Sequence, residues 1–116
     1  MARPQKCRCI CSKPEITEFV PKGSSGENCV NLTYDEYETV RLLDLVCLTQ
    51  EQCAKKMDIS RPTVTRIYNG ARRKLADALV NGRGITINGG DVVVCEEMRP
   101  ECVNEQYCCH RQQKIQ

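Results

Sequence analysis

At 116 residues the chain has room for one small domain and a modest core, a size that favours a binding module over a shaped catalytic cleft. No apolar run approaches the roughly 18–20 residues of a membrane span, and the basic, polar start Met1–Lys6 lacks a signal-peptide apolar stretch, so a soluble, cytoplasmic protein is expected. The formal charge of +2 is unevenly spread: Arg3, Lys6, Arg8 and Lys13 stand without acids at the start, and Glu27, Asp35, Glu36, Glu38 and Asp44 face only Arg41. Eight bases then meet only Glu51, Asp58 and Asp77 between residues 49 and 83.

Such asymmetry is what a localised anion-binding face produces, and nucleic acid is the default polyanion; a solvated charged surface is the competing explanation. Ten cysteines without a secretion signal argue for metal binding, redox chemistry or core packing before a disulfide scaffold.

In chain order, residues 1–32 form a basic arm with Cys7, Cys9 and Cys11, in which the β-formers Ile16–Val20 predict a short strand and Pro21–Asn28 a loop. Thr33 and Glu36 have capping-box spacing, so a first helix starts at Tyr34. It presents Tyr37, Val40, Leu43, Val46 and Cys47 on one side, widened by Leu42 and Leu45. Thr49 and Gln52 repeat the box and open a second helix through about Met57. Ser60 caps a third, with Pro62 in its first turn, where a missing N–H costs nothing. That helix shows Val64, Ile67, Tyr68, Ala71, Leu75 and Leu79 at helical spacing. Gly70 interrupts it, predicting either a kink or a close approach to the first helix or a partner. Residues 83–95 read as a β-hairpin about Asn88-Gly89, and 96–116 as an irregular cysteine-rich tail.

The second and third helices meet the requirements of a helix-turn-helix within residues 33–82. Cys53, Met57, Ile59, Val64 and Ile67 supply the apolar inner positions, and Ala54 the small residue where the helices cross. Asp58 takes the turn position, entering the left-handed region more readily than most non-glycine residues. The expected fold is thus mainly α: a three-helix helix-turn-helix domain with a short strand, a hairpin and a cysteine-rich tail. The outer face of the third helix, about 61–80, then carries the candidate DNA-reading residues Arg61, Thr63, Thr65, Arg66, Asn69, Arg72 and Arg73. Arg66 suits a guanine edge, Asn69 an adenine, and the threonine methyls a thymine methyl. Lys55, Lys56 and Ser60 are placed for phosphates, as are Arg72, Arg73 and Lys74.

Cys47 and Cys53 are read as packing residues. Cys7, Cys9 and Cys11, flanked by bases, favour thiolates, and Cys95, Cys102, Cys108, Cys109 and His110 add five potential ligands. These eight residues are the candidate set for a zinc or iron–sulfur site; thiols without stoichiometric metal are the alternative. No acid, base and nucleophile stand at interpretable spacing, so no enzyme activity is expected.

Several segments resemble a small prokaryotic family of uncharacterised, predicted DNA-binding proteins. They are Met1-Ala2-Arg3-Pro4-x-Lys6-Cys7-Arg8, Pro14-Glu15-x-Thr17-x-Phe19, Leu32-Thr33 through Arg41-Leu42-x-Asp44, Gln50-Glu51-x-Cys53-Ala54-x-Lys56-Met57, Ser60-Arg61-x-Thr63 and Ala71 through Gly82. The helical part is similar to sigma-factor region 4, which implies major-groove binding by the third helix and RNA polymerase as a partner. Asp58 in place of the turn glycine, Tyr68-Asn69-Gly70, the extra thiols Cys9 and Cys11, and the tail after Gly90 depart from the pattern. The expected function is a sequence-specific transcription regulator on double-stranded DNA, modulated by the metal or redox state of its cysteines. A homodimer is expected to pair through the tail or hairpin. The alternative is a protein-interaction or metal-binding adaptor that uses the same helices without reading sequence.

Overall fold

The computed structural model describes residues 8–23 and 28–94. In chain order these are β1 (Arg8–Ile10), β2 (Glu18–Phe19), β3 (Cys29–Leu32), α1 (Tyr34–Val40) running into a π turn (Arg41–Leu45), α2 (Gln50–Met57), α3 (Arg61–Asn81), β4 (Gly84–Ile87) and β5 (Val92–Val94). Three helices and two small sheets make a mainly α domain.

All three helices start where their caps place them. Thr33 N–H donates to Glu36 Oε1 at 2.9 Å, and Thr49 and Gln52 exchange bonds of 2.9 and 3.1 Å. Ser60 Oγ accepts from Thr63 N–H at 3.3 Å, with Pro62 in the first turn. Each bond satisfies an amide that the start of a helix leaves orphaned. Asp58 sits at φ 59°, ψ 46°, the left-handed conformation expected of it, and Ile59 N–H returns to Ala54 O at 3.0 Å. The chain is thereby swung from α2 straight into α3.

The end of the first helix differs from the expectation. It widens into the π turn, closed by Val46 N–H to Arg41 O at 2.9 Å, and Cys47 follows at φ 67°. The wider turn breaks the helical spacing on which the apolar face was drawn. Leu42 is fully buried, Leu45 is 69% exposed, and Cys47 is exposed outside the helix instead of packed on its buried side.

Two apolar clusters share α3. Leu42, Cys53, Ala54, Met57 and Val64 form one, with Leu43, Val46, Leu48 and Ile59 against it. Leu32, Ala71 and Ile87 form the other, with Tyr34, Tyr37, Val40, Leu75 and Ile85. α3 is continuous through Gly70, which lies against Glu36, so the close approach to α1 holds. At its far end Ala78 is buried and Leu79 is 82% exposed, because Leu79 is turned away from the line of Val64, Ala71 and Ala78.

The expected hairpin does not form. β4 is the middle strand of a sheet ordered β2-β4-β3, antiparallel to β2 (Phe19↔Ile85) and parallel to β3 (Val30↔Ile85, Leu32↔Ile87). β5 pairs instead with β1, in parallel (Arg8↔Val92). With both edges of β4 occupied, the chain cannot fold back on it. Gly89 and Gly90, at φ 86° and 101°, carry it across the start of α1, where Gly89 O accepts from Tyr34 N–H at 2.9 Å. A Cβ on Gly90 would stand 3.1 Å from Asp35 Oδ1 and 3.2 Å from Thr33 Cβ.

One buried acid adds to the strand pairings that hold the arm. Glu38, with no solvent exposure, accepts from Arg41 Nε at 2.8 Å and Nη2 at 3.0 Å, and from Cys11 N–H at 2.9 Å. A buried carboxylate is tolerable only with such a full complement of donors.

Candidate nucleic-acid interface

Seven residues of α3 were expected to face DNA, and the helix presents most of them outward. Arg61, Arg66, Asn69, Arg72 and Arg73 are exposed, as are Ser60 at the cap and Lys55 on α2. Arg66, Asn69 and Arg73 stand at i, i+3 and i+7 and share one stripe. Arg61, Thr65, Tyr68 and Arg72 make a neighbouring stripe at i, i+4, i+7 and i+11. Among the described residues, no carboxylate makes a salt bridge with Lys55, Arg61, Arg66, Arg72 or Arg73.

Four residues are placed differently from the expectation. Lys56 is buried, since the helical twist turns it towards the interior beside Met57, and it is not available to a phosphate. Thr65 is half-buried, and its hydroxyl donates to Gln50 Oε1 at 2.5 Å, tying α3 to the first residue of α2. Lys74 donates to Glu36 Oε1 at 2.7 Å, so the carboxylate that caps α1 also holds α3. Thr63 is half-buried, its hydroxyl 2.8 Å from that of the Ser60 cap.

One assembly was not anticipated. Tyr68 Oη donates to Asp44 Oδ1, 2.7 Å away in the π turn, and the Arg72 guanidinium carbon lies 5.1 Å from the Tyr68 ring centroid. The Asp44 hydrogen bond is the main reason the Tyr68 phenol titrates above its ordinary range, with partial desolvation and the Asp44 charge adding to it. The spacing of Tyr68 and Arg72, i and i+4, is visible in the sequence; the link to Asp44, 24 residues away, is not.

Of the candidate metal ligands, Cys9 is half-buried and Cys11 buried, while Cys7, Cys95, Cys102, Cys108, Cys109 and His110 lie outside the described residues. Among the described residues no three His, Cys, Asp or Glu side chains converge as a metal site, and no helix is long and apolar enough to cross a membrane.

A groove of about 460 Å³ opens between α1, the π turn, α3 and the β2-β4-β3 sheet, with Phe19, Leu45, Leu75 and Ile85 in its walls and Arg41 and Asp44 as its charged members. Tyr37 also lines it, and burial is the largest effect raising that phenol's pKa.

Comparison with known proteins places the chain among relatives that carry no assigned role. A UPF0251 protein of Desulfitobacterium hafniense (strain Y51) is 44% identical over 117 residues, covering 99% of this chain and 92% of the relative. One from Thermoanaerobacter sp. (strain X514) is 52% identical over 99 residues, covering 84% and 88%. One from Caldicellulosiruptor bescii is 40% identical over 127 residues, covering 96% and 90%. The Desulfitobacterium match runs through the cysteine-rich tail, which the sequence pattern alone had set apart from the resemblance. No solved structure matches the chain. The family described as "Protein of unknown function DUF134" matches residues 1–95, and the chain belongs to it.

Proposed function

We propose that the chain is a sequence-specific DNA-binding transcription regulator in which α2 and α3 form a helix-turn-helix of the sigma region 4 kind. The observation that carries this reading is the outer face of α3, where Arg66, Asn69 and Arg73 share an exposed stripe on a helix held from behind by α2 and the left-handed turn at Asp58. A helix so backed is rigid enough to enter a major groove about 12 Å wide, and its first turns enter deepest. Arg66 and Asn69 have the hydrogen-bonding edges that distinguish bases, whereas Lys55, Ser60 and Arg73 supply sequence-independent phosphate contacts. Arg61 and Thr63 flank them at the start of the helix.

Selection from a random duplex pool with anaerobically purified protein tests the reading. An enriched motif is expected, and Arg66→Ala is expected to relax it at one position by about 1–3 kcal/mol of discrimination. Arg73→Ala is expected to weaken all sequences alike and lower the salt slope by about one. Absence of enrichment together with salt-insensitive binding would overturn it. A second reading, a protein-interaction adaptor, is favoured by the apolar groove with its 53% exposed Phe19. It predicts capture of a partner, RNA polymerase first among those to try, that survives high salt and loss of Arg66.

A further inference from the structure

We propose that Asp44 and Tyr68 are positioning residues for Arg72, holding its guanidinium at the flank of α3 to clamp a DNA phosphate; the inference rests on α3 being the DNA-facing helix.

The geometry leads there in three steps. The ring of Tyr68 is fixed from outside its own helix, since its hydroxyl donates to Asp44 in the π turn at 2.7 Å. Arg72, one turn further along α3, lays its guanidinium over that ring at 5.1 Å. A cation over an aromatic ring is held by the ring's electron-rich face, which takes up none of the guanidinium's strong hydrogen-bonding capacity towards an oxyanion. A planar fork with free N–H edges is what recognition of a phosphate requires, and holding it in place lowers the entropy lost on binding.

The disposition of charge agrees. Asp44 is engaged by the phenol, and among the described residues Arg72 forms no salt bridge with it or with any other carboxylate. Arg61 and Thr65 lie on the same stripe towards the start of the helix, so the clamp falls along the flank of the reading face, where a groove-bound helix meets a phosphate strand. Arg73, the next residue, has no aromatic ring within stacking reach among the described residues and serves as an internal control.

The test is a double-substitution cycle on the full chain, read as the affinity for a mixed-sequence DNA duplex at several salt concentrations. Arg72→Gln is expected to cost about tenfold at low salt, in the range of one charge-assisted hydrogen bond, and to reduce the salt slope by about one. Tyr68→Leu is expected to reproduce both effects although it removes no charge, and Tyr68→Leu combined with Arg72→Gln to lose no more than Arg72→Gln alone. Tyr68→Phe keeps the ring and drops the anchor. It is expected to give a smaller loss that also vanishes in the Arg72→Gln background, which keeps the test decisive should Tyr68→Leu fold poorly. Combined with Arg73→Gln, the same Tyr68 substitutions are expected to act independently. If losses at Tyr68 and Arg72 simply multiply, or if Arg72→Gln changes nothing while the parent chain binds, the clamp is overturned and the DNA reading stands. If the parent chain shows no salt-dependent binding to the duplex, both fall together.

Discussion

The two halves of α3, divided at Gly70, are supported in different ways. The first half leans on a neighbouring helix through a large branched side chain, Val64, set against Met57, Cys53 and Leu42. The second half packs through Ala71 against Leu32 and Ile87 of the sheet, with Tyr34, Tyr37 and Val40 of the first helix alongside, and Ala78 is buried further along. Small side chains let a sheet approach a helix axis closely, whereas large ones interdigitate between helices. The first half thus carries the proposed reading residues on a helix-on-helix support assembled from nearby sequence. The second depends on strands that enter the chain before and after the helices.

The largest expected effect that would break this comparison is at Met57. Truncation to alanine opens a cavity under the first half, and a loss of about 2–5 kcal/mol in denaturant unfolding is expected. Gly90→Ala strikes the sheet side. It forces a side chain into φ 101° and into contact with Asp35 and Thr33, for an expected cost of about 1–3 kcal/mol by the same measurement. Gly70→Ala is expected to act in the opposite sense. A methyl there stands 3.4 Å from Glu36 Oε2, ordinary contact, so the gain in helix propensity of about 0.5–1 kcal/mol is realised and both halves become one stiffer rod. Leu79→Lys is expected to change stability by less than about 0.5 kcal/mol. A larger loss that depends on protein concentration would show that copies associate over the end of the second half.

The smallest effect is a titration. The folded Tyr68 phenol is raised above its ordinary value of 10.0, so its bond to Asp44 is intact below that value and is lost as pH climbs through the raised pKa. The difference in ultraviolet absorbance between the parent and Tyr68→Phe is expected to show a midpoint above 10.0 that falls towards it in Asp44→Ala.

What the sequence disclosed follows the same division. Thr33, Thr49, Ser60 and Asp58 act on amides within a few residues of themselves, so their helices and turn are legible from spacing alone. The π turn is not legible, because it arises where Leu42, Leu43 and Val46 must all reach one cluster, a demand set by α2 and α3. The absence of the hairpin is not legible for a related reason. Asn88-Gly89 has the local chemistry of a tight turn, but partners from residues 18–19 and 29–32 occupy both edges of β4. At the interface the exposed bases of α3 were legible from helical phase. The burial of Lys56, the Gln50 bond to Thr65 and the Asp44 anchor were not, because each is settled by a neighbouring element.

The parallel pairing of β3 with β4 places the whole helical block between two adjacent strands. During synthesis β2 and β3 have no partner in their sheet until residues 84–87 have left the ribosome, long after the caps of all three helices are in place. Helices made of local contacts form early, and pairings across long stretches of chain form late. The order in which the molecule closes is therefore written into its topology: α1, α2 and α3 can assemble as a collar, and β4 then slides between two waiting strands as the bolt. A chain cut before Gly84 would keep every residue of the proposed reading face and lose the strand that locks the collar shut.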